Sequence, residues 1–162
     1  MKHKVGLIVG ALLLSNSTLA SADSDFIDFA LKQAHQKGFY QCDKAIKNTF
    51  STAFGSDIRI FTDWFDGTRS DSLKLTGIYG KKGDTVFVES EYRVKSDQCY
   101  VTGTTVVTTG KSCTAYASEL KSFDYVAETG DYIAMKSKGG IPMFLKPLGS
   151  SCIVTFQMNG VF

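Results

Sequence analysis

Histidine, tryptophan and proline are scarce in this chain: two His, one Trp and two Pro in 162 residues. One histidine, His3, lies in the leader-like stretch described below, which leaves His35. Any Ser–His–Asp or Cys–His relay would have to be built around it. It stands between Ala34 and Gln36 in the polar part of a helical pattern, so it reads as a solvated helix residue. One histidine and cysteines engaged in disulfides leave a zinc ion short of ligands, and no metal or cofactor is expected. A Cys-x-x-Cys motif is missing too, the nearest cysteines, Cys99 and Cys113, having 13 residues between them. Gly110-Lys111-Ser112 resembles the end of a phosphate loop, but Thr105 stands where that loop needs glycine.

Charge of one sign is also lacking once the N-terminus is set aside. Lys2, His3 and Lys4 precede an apolar stretch at residues 5–14, and Leu19-Ala20-Ser21-Ala22 follows with small residues where a signal peptidase reads. The apolar run is too short to span a bilayer, and Ser15, Asn16, Ser17 and Thr18 follow it at once. Residues 1–22 are therefore expected to be a signal peptide cleaved after Ala22, with no stable membrane anchor afterwards. Residues 23–162 are expected to form a single α+β domain in the periplasm. Without Lys2 and Lys4 the 18 basic residues become 16, against 16 acidic ones. A neutral chain lacks the basic excess that nucleic acid or an anionic membrane surface demands.

What remains is richer. Cys42, Cys99, Cys113 and Cys152 make an even count in an exported chain, which reads as two disulfides. Three pairings are open and spacing does not choose among them. Cys42–Cys99 with Cys113–Cys152 is preferred here, because it ties a helix to the sheet and fastens the last strand.

The chain starts helical. Asp23, Ser24 and Asp25 offer N-cap oxygens, Phe26, Phe29, Ala30 and Ala34 share a helix face, and Gly38 is the stop. Residues 41–54 form a second amphipathic stretch through Cys42, Ala45, Ile46, Thr49, Phe50 and Ala53, ended by Gly55. From Asp57 the period changes to two. Strand-like runs at 58–64, 73–79, 86–94, 99–107, 113–120, 123–127, 132–135, 141–145 and 152–158 alternate with turn residues such as Lys81-Lys82-Gly83-Asp84, Ser96-Asp97 and Lys138-Gly139-Gly140. Two N-terminal helices packed on a mainly antiparallel, meandering sheet of about seven to eight strands is the expected architecture.

Two places invite a functional reading. Glu89 and Glu91 share a strand face about 7 Å apart, a spacing open to glycosidase chemistry, yet Arg93 continues that face and an ordinary solvated surface is the simpler reading. The segment from Phe61 to Arg69 holds the only Trp, two Phe, two Asp and an Arg, and it ends in a turn. Ile60 and Trp64 would face the core, while Phe61 and Phe65 turn outward beside Asp63. Either a second buried face or a binding site follows. In the second case Trp64, Phe65, Asp66 and Arg69 are the expected partner contacts, Phe65 giving apolar area, Asp66 and Arg69 hydrogen bonds. The face at 89–93 and the hairpin at 136–144 come next.

The signal sequence, mature length near 140 residues, two expected bridges and helices-then-strands layout together resemble the small periplasmic immunity proteins of type VI secretion systems, closest to those that neutralise effectors attacking peptidoglycan. The likeness lies in the layout and covers no motif, so no contact residue carries over. It implies one-to-one blockade of a cognate effector toxin's active site, often by an inhibitor that is itself a homodimer, and no enzymatic activity. The other readings are a periplasmic carrier or sensor of a small apolar ligand, suggested by 12 Phe and seven Tyr, and a cell-wall hydrolase.

Overall fold

The structure, a computed structural model, describes residues 24–54, 57–64, 67 and 70–162. The leader at 1–22, its cleavage point, Asp23 and the helix stop Gly55 lie outside the described residues.

Helix α1 runs Ser24–His35. Its buried stripe passes through Phe26, Ala30, Leu31 and Ala34, whereas Phe29 is 41% exposed. At 100° per residue the centre of that stripe falls near Ile27 and Ala30, which turns Phe29 away from it. Gly38, at φ +78°, ends the helix, and the Phe39 N–H returns to the Ala34 carbonyl. Helix α2, Asp43–Thr49, is shorter than the periodicity suggests. The Thr49 hydroxyl donates back to the Ala45 carbonyl and the Ser51 hydroxyl to Asn48, hydrogen bonds that compete with continuing the helix. Phe50 and Ala53 stay buried through the turn that follows, so the apolar period outlasts the helix.

Strands β1 (Arg59–Asp63), β2 (Ser72–Lys81), β3 (Asp84–Lys95) and β4 (Gln98–Thr109) form an antiparallel meander. Ser96 and Asp97, both at positive φ, make the two-residue turn between β3 and β4. The chain then forms helix α3, Cys113–Glu119, where period-two reading expects a strand. Ser112 decides the matter locally. Its hydroxyl caps the helix by accepting from the Ala115 N–H, and Ala115 and Ala117 are strong helix formers. Strands β5 (Phe123–Thr129), β6 (Tyr132–Ser137), β7 (Pro142–Leu148) and β8 (Ser151–Val161) make a second meander. Both prolines of the chain lie in β7: Pro142 opens it, and Pro147 falls beyond the pairs recorded with β6.

The two meanders join through β4 and β8, giving one eight-stranded sheet in the order β1-β2-β3-β4-β8-β7-β6-β5. This is the α+β fold the sequence points to, with the meander broken once. The break has a cause: α3 carries the chain from the middle of the sheet to its far edge.

Apolar side chains from alternate positions gather on one face. Under α1 and α2, Leu73, Leu75, Tyr79, Val88 and Tyr92 form the larger core, and Met143, Leu145 and Val154 form a smaller one with Leu120 and Cys113 of the α3 segment. Gly77 admits the Phe50 ring so closely that an added Cβ would sit 2.6 Å from it. Cys42–Cys99 fastens the start of α2 to β4, and Cys113–Cys152 fastens α3 to β8, with Cα–Cα distances of 5.4 and 4.9 Å. These are the preferred pairings. Two disulfides fit an oxidising, exported environment. Among the described residues no helix is long and apolar enough to cross a membrane.

Candidate functional site

Strand alternation decides what the fold offers to a partner. Side chains that do not enter the core point to the opposite face of the sheet, which no helix among the described residues covers. Phe61, Ile78, Phe87 and Tyr100 are exposed there. Ile78 pairs directly with Phe87, and Phe87 with Val106, so the apolar members form a row across β2, β3 and β4.

Beside that row the surface becomes polar. One cross-strand line passes Phe61, Thr76, Glu89, Thr104 and Gln157, and the next passes Asp63, Lys74, Glu91, Thr102 and Asn159. Of these, Lys74, Glu89, Glu91, Thr102, Thr104, Gln157 and Asn159 floor a trough of about 550 Å³ from β2 to β8, and the β6–β7 turn at Gly139, Gly140 and Ile141 stands at its end. The charges along it are already matched. The Lys74 ammonium lies 3.0 Å from Glu89, and Arg93 lies 2.7 Å from Glu91. The hydrogen bond from Lys74 to Glu89, more than any other influence, raises the Lys74 pKa; attraction from Asp63 and Glu91 adds to it. A second, more open groove adjoins along Ser72, Arg93 and Tyr100.

The residues expected to meet a partner divide. Trp64 is half-buried, packs against the larger core and carries the Lys37 ammonium 3.6 Å from its ring centroid. Ile60 faces the core with it. Phe61 turns the other way and is 56% exposed, so the outer face of β1 is not a second buried face at that point. Phe65, Asp66 and Arg69 lie outside the described residues. The two reserve locations come together: the Glu89 and Glu91 face and the 136–144 hairpin border the same trough. Thr102, Thr104, Gln157 and Asn159 were not singled out from the sequence. Their period-two polar positions are visible there, but only the β4–β8 pairing sets them side by side.

His35 is not simply solvated. Its Nε2 lies 2.9 Å from Asp43 Oδ1 and its ring stacks on Tyr40, so it fastens the end of α1 to the start of α2. Among the described residues no cluster of three or more His, Cys, Asp or Glu is arranged to hold a metal ion. No protein family, curated protein or solved structure matches this chain.

Proposed function

We propose that this protein is a periplasmic immunity protein, exported by a signal peptide cleaved after Ala22, that binds a cognate cell-wall-attacking toxin and blocks it. The supporting observation is a disulfide-fastened scaffold that keeps its helices and core on one side of the sheet and leaves a broad mixed apolar and polar face open. Such a surface suits recognition of another protein, with exposed aromatic side chains beside hydrogen-bonding groups. Glu89 and Glu91 are each held by a cation, and His35 is spent on a helix junction, which favours action by binding over catalysis. The trough lined by Lys74, Glu89, Thr102 and Gln157 is polar, a better match to a polar contact than to a small apolar ligand.

The test is capture from periplasm of cells expressing the neighbouring genes. A stoichiometric complex with a wall-degrading enzyme, and loss of that enzyme's activity on cell-wall suspensions, is the expected result. If the chain instead lowers the turbidity of such a suspension by itself, the binding reading is wrong. The segment around Trp64 supplies the proposed anchors. Phe65→Ala, Asp66→Ala or Arg69→Ala, with unchanged thermal unfolding, should weaken the complex by about 2 kcal/mol, roughly thirtyfold. Intact mass of the periplasmic form, expected to begin at Asp23, tests export.

A further inference from the structure

The trough poses a question that toxin blockade does not answer. On β4 and β8 its floor is a regular grid of uncharged hydrogen-bonding side chains, with two ion pairs beside it on β2 and β3. Thr102 and Thr104 on β4 stand opposite Asn159 and Gln157 on β8. Among the described residues none of these four side chains is tied up by a hydrogen bond within the fold. Each amide offers a donor and an acceptor in one plane, and each hydroxyl offers both. The Lys74–Glu89 pair repeats that arrangement in charged form, a donor and an acceptor 3.0 Å apart.

We propose that this trough binds a neutral oligosaccharide lying across the strands. Charge and shape choose the occupant. On the floor itself the carboxylates of Glu89 and Glu91 are met by Lys74 and Arg93, so a charged polymer finds no net countercharge there. An extended polypeptide is recognised most directly at a sheet edge, where backbone groups await partners, and the face of a sheet offers none. Neighbouring hydroxyls of a sugar need donors and acceptors in close pairs, which is what the floor presents. At the β1 end Phe61 continues the line of Thr76, Glu89, Thr104 and Gln157, and its exposed ring is placed to cover the apolar face of a sugar. From β2 to β8 the floor crosses three inter-strand spacings, about 14 Å, and Phe61 on β1 extends the line by one more, enough for a short chain of sugars. The β6–β7 turn limits the other end. This site is distinct from the Trp64 segment and does not depend on the inhibitor reading.

The oxidised protein, labelled with nitrogen-15, should be titrated with tetra-N-acetylchitotetraose, cellotetraose and maltotetraose, following backbone amides. At millimolar concentration at least one tetrasaccharide should shift residues 102–104 and 157–159, and the pattern across the three separates an N-acetylated glycan from a plain glucan. Gln157→Ala and Asn159→Ala, at exposed positions and checked for unchanged melting, should each weaken that binding about tenfold. Three results would overturn the proposal: no shifts with any of the three, shifts confined to other parts of the surface, or equal shifts from a glycine-serine peptide of similar length.

Discussion

Strands β1–β4 and strands β5–β8 are both four-stranded meanders, and each lays its last strand, β4 or β8, at the middle of the sheet. Each is also fastened by one disulfide to a helical segment on the core face. The likeness ends at the core. Among the described residues the first meander, under α1 and α2, shares a cluster of 18 buried apolar residues, while the second, under the two turns of α3, shares seven. Strand β5 is exposed over nearly its whole length, with Tyr125 and Val126 in solvent. Burial therefore holds the first half, whereas the second leans on its cross-link and on pairing with β4. The same topology can be held in two ways within one sheet, and local stability should differ accordingly.

The strongest way to break the comparison is to remove the cross-links. The bridged cysteines are separated by 57 and 39 residues, so loop closure makes each bridge worth about 4 kcal/mol. Cys113→Ser with Cys152→Ser should cost that amount overall and let amide protons of β5–β7 exchange well before those of β2 and β3. Cys42→Ser with Cys99→Ser should cost as much without that asymmetry. Uniform exchange in the first variant would refute the unequal halves. Core truncation comes next. Leu75→Ala should cost about 4 kcal/mol and Leu145→Ala about 2 kcal/mol, since a thin core closes more readily around a lost side chain. Urea unfolding measures both, and the reverse order would contradict the argument.

Tyr92 sharpens the contrast from within the larger core. Its hydroxyl is buried beside Thr49 and Ser90 but meets neither in hydrogen-bond geometry. Burial raises its pKa, and those two neighbours only partly offset the rise. The folded chain therefore keeps a proton that the unfolded chain begins to lose near pH 10, so stability falls as pH climbs past that point. Tyr92→Phe should add up to about 1 kcal/mol at neutral pH and soften the alkaline loss, both read from chemical unfolding at pH 7 and pH 11. A loss of stability at pH 7 would mean the hydroxyl has a partner. The smallest effect belongs to His35→Ala, which removes a half-exposed pair with Asp43. It should cost under about 1 kcal/mol and leave partner binding unchanged.

These contrasts also mark how far the sequence could be read. Alternation at 73–79 and 86–94 delivered β2 and β3 with their core faces, because each strand's period is a local property. The preferred disulfides rested on tying a helix to the sheet, and the structure pairs the cysteines that way. The run at 113–120 misled because Cys113, Ala115 and Ala117 alternate with polar or aromatic residues as a strand would, while the cap at Ser112 and the two alanines favoured helix. The trough was illegible for a different reason. Thr102 and Asn159 are 57 positions apart, and nothing local in either strand says that β8 passes over β5, β6 and β7 to lie against β4. Of the expected contacts, Trp64 packs against the core beside Ile60, as alternation along the strand suggested, while its contact with Lys37 joins residues 27 positions apart and has no local signal.

The position of Cys113–Cys152 has one more consequence. Cys152 sits opposite Thr109, at the last recorded pair of the β4–β8 seam, and Cys113 follows Thr109 by four residues. A slip of one residue along the seam would turn every side chain of β8 to the wrong face. A slip of two would restore the faces but carry Cys152 about 7 Å along the strand, past the reach of a sulfur bridge whose Cα atoms now lie 4.9 Å apart. Oxidation thus proofreads the join between the halves: a chain zipped in the correct alignment closes the bond, and a misaligned one is left bearing two thiols.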